Sequence, residues 1–162
     1  MTAETDRLED VSFDGSIAAP RTPELEQERR VAVFDLLEGN TFGLKENPTG
    51  ASGPWQLKIS QQGHQLVFSA GTGDRPDLVD IPVPLAGLQQ VVRDYAQICE
   101  SYFDAVRHLP PSRIEAIDEG RRTIHDEGSR ILLGHLEKKV DTDMATARRL
   151  FTIVCALTPG DR

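Results

Sequence analysis

The sequence is poor in the groups that most often announce chemistry. Its 162 residues hold two cysteines, Cys99 and Cys155, with no CxxC pair. That leaves neither a disulfide framework nor a thiolate zinc site. Each cysteine lies within an apolar helical pattern and reads as a small buried hydrophobe. The four histidines, His64, His108, His125 and His135, form no HxxxH pair, so no metal and no cofactor are expected. The chain lacks GxxxxGK[ST] and GxSxG, which removes a phosphate-cradling loop and a serine nucleophile elbow. No apolar run approaches the roughly 18–20 residues that span a bilayer. The opening MTAETDRLED is acidic and has no apolar stretch of the secretory kind. The expectation is a cytoplasmic protein without membrane contact.

Positive charge is also short. Eighteen Lys and Arg stand against 26 Asp and Glu, a net charge of −8. Such a surface repels a phosphate backbone, so nucleic acid is not the expected partner. The deficit is local. Residues 1–106 carry 8 basic against 17 acidic side chains, and residues 107–162 carry 10 against 9. The length suffices for one domain with a core of its own.

Residues 1–21 read as a polar N-terminal segment, in which 11–13 or 17–19 could add a short edge strand. A single α+β domain is expected over 22–158, followed by a tail at 159–162. The first helix starts with Thr22 as N-cap, Pro23 at the first position, and Glu24 and Glu26 at the positive dipole end. Gly39-Asn40 stops it, as a left-handed residue would. Residues 43–54, with three glycines and two prolines, read as loop. Residues 55–59 alternate, 66–68 continue after a turn at 61–64, and 78–83 supply a third strand. The GTGD at 71–74 reads as a hairpin loop. A core helix spans 85–109, with apolar residues from Leu85 through Tyr95 and Tyr102 to Val106 and Leu109. A fourth helix runs over 143–157. The expected architecture is a three-stranded antiparallel sheet against about four helices.

The third helix is the most specific stretch. SRIEAIDEGRRTIHDEGSR, residues 112–130, opens with Ser112 and Glu115 in S-x-x-E spacing, which predicts a capping box. Ile114, Ile117, Ile124, Ile131 and Leu132 form an apolar side, while Asp118, Arg122, His125 and Ser129 line one polar stripe. Asp118 with Arg122, and Arg122 with Asp126, are at ion-pair spacing. Gly120 and Gly128 allow either a close helix approach or a break at 128. The bland reading of the stripe is a solvated ladder of ion pairs. The functional one is a contact surface of Arg113, Glu115, Asp118, Arg121, Arg122 and His125, with Arg93 and Glu100 as neighbours on the preceding helix. Its arginines would supply bidentate forks.

Several long stretches resemble the bacterial family UPF0262: ERRVAVFDLL at 28–37, RDYAQICESY at 93–102, SRIEAID at 112–118 with GRR at 120–122, and ARRLFT at 147–152. The likeness covers about 22–157. It implies no activity, substrate or residue role, because that family is uncharacterised. From the residues themselves, the expectation is a non-enzymatic interaction or regulatory module whose partner is a protein. The alternative is a small anionic-ligand site or enzyme on the same helix, with His125 and Asp118 or Glu115 moving protons.

Overall fold

A computed structural model describes residues 5–47 and 49–157. The chain runs β1 (Leu8–Phe13), α1 (Pro23–Glu38), β2 (Phe42–Leu44), β3 (Trp55–Gln62), β4 (Gln65–Gly71), β5 (Val79–Pro84), α2 (Gln89–His108), α3 (Pro111–Leu136), β6 (Val140–Thr142) and α4 (Met144–Leu157). The class is α+β, with four helices among the described residues, but the sheet differs from expectation. It has four strands in the order β1-β3-β4-β5, with β1 parallel to β3 and the other pairs antiparallel. A separate two-stranded sheet pairs β2 with β6.

The physical reasons are local. β3, β4 and β5 carry strong apolar periodicity, and Gly63, at φ 64°, opens the two-residue turn between β3 and β4. β1 is LEDVSF, whose register against β3 slips between Leu8 and Asp10, so its period-two pattern is broken. β2 and β6 have three residues each, too few to show a period.

The core is shared between one sheet face and the helices. Leu57, Ile59, Phe68, Ile81 and Val83 meet Leu36, Leu88, Leu132, Leu136 and Phe151 in one cluster. α4 is its pivot, with Ala147, Leu150, Phe151, Ile153 and Val154 all fully buried. At roughly 25 cal/mol per Å² of apolar surface, such a helix is held by packing far more than by its own propensity.

Helix ends show what sequence patterns could and could not place. The Thr22 hydroxyl accepts from the Leu25 amide at 3.1 Å, as its cap position predicts. Gly39 is extended rather than left-handed, with φ −170°. The work at that end falls to Asn40. Its Nδ2 donates to Leu36 O at 3.0 Å and to Leu8 O at 3.1 Å, and its Oδ1 accepts from Leu8 N at 2.7 Å. One amide thus closes α1 and fastens it to β1. The capping box at Ser112 does not form. Pro111 is the first helical residue and Pro110 the cap, without a side-chain bond. Proline suits that first position because its missing N–H has no helical partner anyway, and Ser112 is thereby drawn inside the helix. α2 begins at Gln89, and although Ala105 stays buried near its end, Val106 and the C-cap Leu109, expected on the buried stripe, are exposed. α3 continues unbroken through Gly128.

Candidate functional site

The polar stripe of α3 faces open water only in part. Of its expected members Asp118 and His125 are half-buried, Ser129 is buried and Arg122 is exposed, while Arg121, one position earlier, is half-buried beside Asp118. Asp118 accepts from Arg121 at 2.6 Å through Oδ1 and from Arg122 at 2.8 Å through Oδ2. The hydrogen bond from Arg121, with the Arg122 charge beside it, holds the Asp118 carboxyl below the usual range. The Arg121 guanidinium lies over the Tyr102 ring, 4.2 Å from its centroid. Arg122 is paired but largely in solvent. The expected Arg122–Asp126 pair is replaced by a bond across helices, from Arg148 Nε to Asp126 Oδ1 at 2.9 Å.

His125 is packed rather than presented. Its ring stands edge-on to Tyr95 and to Phe151, at 5.1 Å from each. Its Nε2 lies 2.8 Å from Thr152 Oγ1, and that hydroxyl already donates to Arg148 O. Nδ1 lies 3.4 Å from Ser129 Oγ, whose hydroxyl likewise donates to a backbone carbonyl, His125 O at 2.7 Å, so each ring nitrogen faces a hydroxyl that is already donating. Burial pushes the imidazole below its ordinary value, so it is neutral at pH 7.

Beside this cluster, α1 and α2 diverge over α4 and leave a cleft of about 830 Å³. From α1 come Glu24, Gln27, Glu28 and Val31, spaced to share one helix face, and Asp35 one turn on. α2 contributes Arg93, Ala96, Cys99, Glu100 and Phe103. Thr152, Cys155 and Ala156 of α4 lie beneath, and Arg121 closes one end. Val31 is 45% exposed and Phe103 63%. Tyr95 also lines the cleft, and burial raises its hydroxyl well above the ordinary range. Burial likewise raises Cys99, which keeps the thiol protonated and unreactive.

Of the eight residues singled out from sequence, Arg93, Glu100 and Arg121 line this cleft. Asp118 positions Arg121, and His125 sits behind Thr152. Arg113, Glu115 and Arg122 are exposed and line no part of it. Sequence reasoning missed Phe103, Val31 and the α1 carboxylates. Their helical spacing was visible, but nothing in one chain says that two distant faces oppose each other. The two cysteines, read as core, are half-buried and open onto the cleft. Among the described residues no group of His, Cys, Asp or Glu could hold a metal ion, and no helix is long and apolar enough to cross a membrane.

These features define an α+β protein with an open interhelical cleft, apolar below and mostly acidic at the rim. The chain belongs to UPF0262, an uncharacterised protein family whose model matches residues 5–159. It is similar to a UPF0262 protein of Dinoroseobacter shibae, 50% identical over 155 residues, with 94% of this chain and 98% of that one covered. It is also similar to one of Paracoccus denitrificans, 48% identical over 162 residues, covering 99% and 100%. A Jannaschia relative is 53% identical over 139 residues, covering 86% and 88%. No solved structure matches the chain significantly.

Proposed function

We propose that the protein is a cytoplasmic, non-enzymatic interaction module. Its contact surface is the α1–α2 cleft, and its occupant is an amphipathic helix of a partner protein carrying Lys or Arg beside its apolar face. The observation that carries this reading is the combination of exposed Phe103 and Val31 with carboxylates above them. Glu24, Glu28, Asp35 and Glu100 stand against Arg93 and Arg121, and Arg121 is already offset by Asp118. An apolar trough with an acid rim suits a basic amphipathic helix laid along it. The rim also disfavours nucleic acid.

Two features favour binding over chemistry. The Cys99 thiol is held protonated, and Nε2 of His125 is engaged by Thr152. The surface is centred on the cleft, with Arg121 of α3, held by Asp118, at its end.

The test uses two fluorescent peptides of identical Leu spacing, one Leu/Lys and one Leu/Glu. The basic peptide should bind, and Phe103→Ser should weaken it by about tenfold, the loss of one well-buried apolar anchor. Because that substitution leaves charge unchanged, it separates docking from attraction to an acidic protein. Equal binding of both peptides, or no effect of Phe103→Ser, overturns the reading.

A further inference from the structure

α1 has a second face. Glu24 and Glu28 look into the cleft, while Leu25 and Arg29 line a smaller pocket of about 240 Å³ on the other side. We propose that this pocket binds a small carboxylate with an apolar body. In a chain of net charge −8, its described lining holds three arginines, Arg21, Arg29 and Arg93, and no carboxylate. None of the three forms an ion pair among the described residues.

Arg29 is the most constrained. It donates to Ala18 O at 3.1 Å and lies over the Phe13 ring at 5.4 Å, while its Nε is buried without a hydrogen-bond partner among the described residues. A buried donor left unpaired is unfavourable, and an anion supplies what the fold does not. The start of α2 adds to the field. Leu88 provides no side-chain cap, the first turn holds no acid, and Gln89, the first helical residue, lines the pocket. The Leu88 and Gln89 amides already donate to Leu85 O, at 2.9 and 2.8 Å, so the helix start adds its dipole rather than free N–H groups.

The remaining wall decides between anions. Leu25, Leu85, Leu88, Val92, Val154 and Leu157 are apolar. They would shelter a hydrocarbon group, which inorganic phosphate lacks. A carboxylate matches a guanidinium fork in two parallel bonds while its tail rests on the leucines. Arg93 borders both this pocket and the cleft.

The probes are hexanoate, hexan-1-ol and inorganic phosphate at constant ionic strength. Each is titrated while the Arg29 Nε–H and the Leu88 and Gln89 amides are followed by NMR. Hexanoate should shift all three signals saturably and bind at least about tenfold tighter than either control, as a charge-assisted fork plus apolar contact requires. Arg29→Lys keeps the positive charge but loses the fork, and should weaken hexanoate by about tenfold. Arg93→Gln is exposed, does not threaten the fold, and should weaken it severalfold. The proposal fails if hexanoate gives no saturable shift or binds no better than hexan-1-ol. It fails equally if phosphate matches hexanoate, or if folded Arg93→Gln binds hexanoate as wild type does.

Discussion

The two halves of α3 are built from the same ingredients and behave differently. Each carries charge, one glycine at a helix contact, and apolar residues three and four apart. The outer half, 111–122, rests on α2. There a Cβ at Gly120 would stand 3.0 Å from Ile98 Cδ1, the free end of a half-buried side chain. The inner half, 124–136, rests on α4. A Cβ at Gly128 would overlap three ring carbons of Phe151, the farthest at 2.7 Å. Phe151 is fully buried and has nowhere to go. Spacing alone does not tell a solvated helix from a structural one. What separates them is how much the opposing side chain can yield.

Gly128→Ala should therefore show the largest effect. Overpacking a rigid site of this kind destabilises by about 3 kcal/mol, less the gain in helix propensity of up to about 1 kcal/mol. Urea unfolding would measure it. A loss well under 1 kcal/mol would mean that α4 slides freely on α3, and the contrast between the halves would collapse.

The inner half should also make folding acid-sensitive. Burial holds His125 below its ordinary 6.5, and His135 moves the same way by burial with Lys138 nearby. The unfolded chain then binds these protons more readily than the folded one, so stability rises with pH across the window. The contribution is complete above about 6.5 and is lost as pH falls through the lower folded values. The window to follow runs from pH 7 to pH 5. His125→Gln should flatten the fall in urea midpoint over that range. An unchanged slope would remove the inner half as its source.

How much of this was legible follows from the same contrast. α1 could be placed from Thr22-Pro23-Glu24, because the cap is a local bond. β3 to β5 could be placed because alternation and Gly63 agree. Of the two short edge strands offered by the sequence, 11–13 is the end of β1, whose start at Leu8 was obscured by the register slip, and the role of Asn40 was hidden by partners 32 residues away. On α3 the spacing of Asp118, Arg122, His125 and Ser129 was readable, but the direction of the stripe was not. Side chains on both flanks are partly buried, so apolar periodicity points to no single inward face. The cleft was invisible because it exists only where α1 and α2, more than fifty residues apart, diverge over α4.

Gly120→Ala sharpens the comparison from the other side. Ile98 need give only a few tenths of an ångström, and alanine favours helix by up to about 1 kcal/mol. The two should nearly cancel, leaving stability within about 1 kcal/mol of wild type. A loss as large as that at Gly128 would show α2 to be as unyielding as α4.

The smallest effect belongs at the start of the helix. A working capping box at Ser112 would make Ser112→Ala cost about 1 kcal/mol. With Pro111 as the first helical residue and no side-chain cap, the hydroxyl of exposed Ser112 has no terminal amide to satisfy. Alanine is also the better helix former. Ser112→Ala should therefore leave the urea midpoint unchanged or slightly raised, within about 0.5 kcal/mol. A clear loss would place the true cap at Ser112, shorten the outer half by two residues, and make its start rather than its packing the feature that holds it.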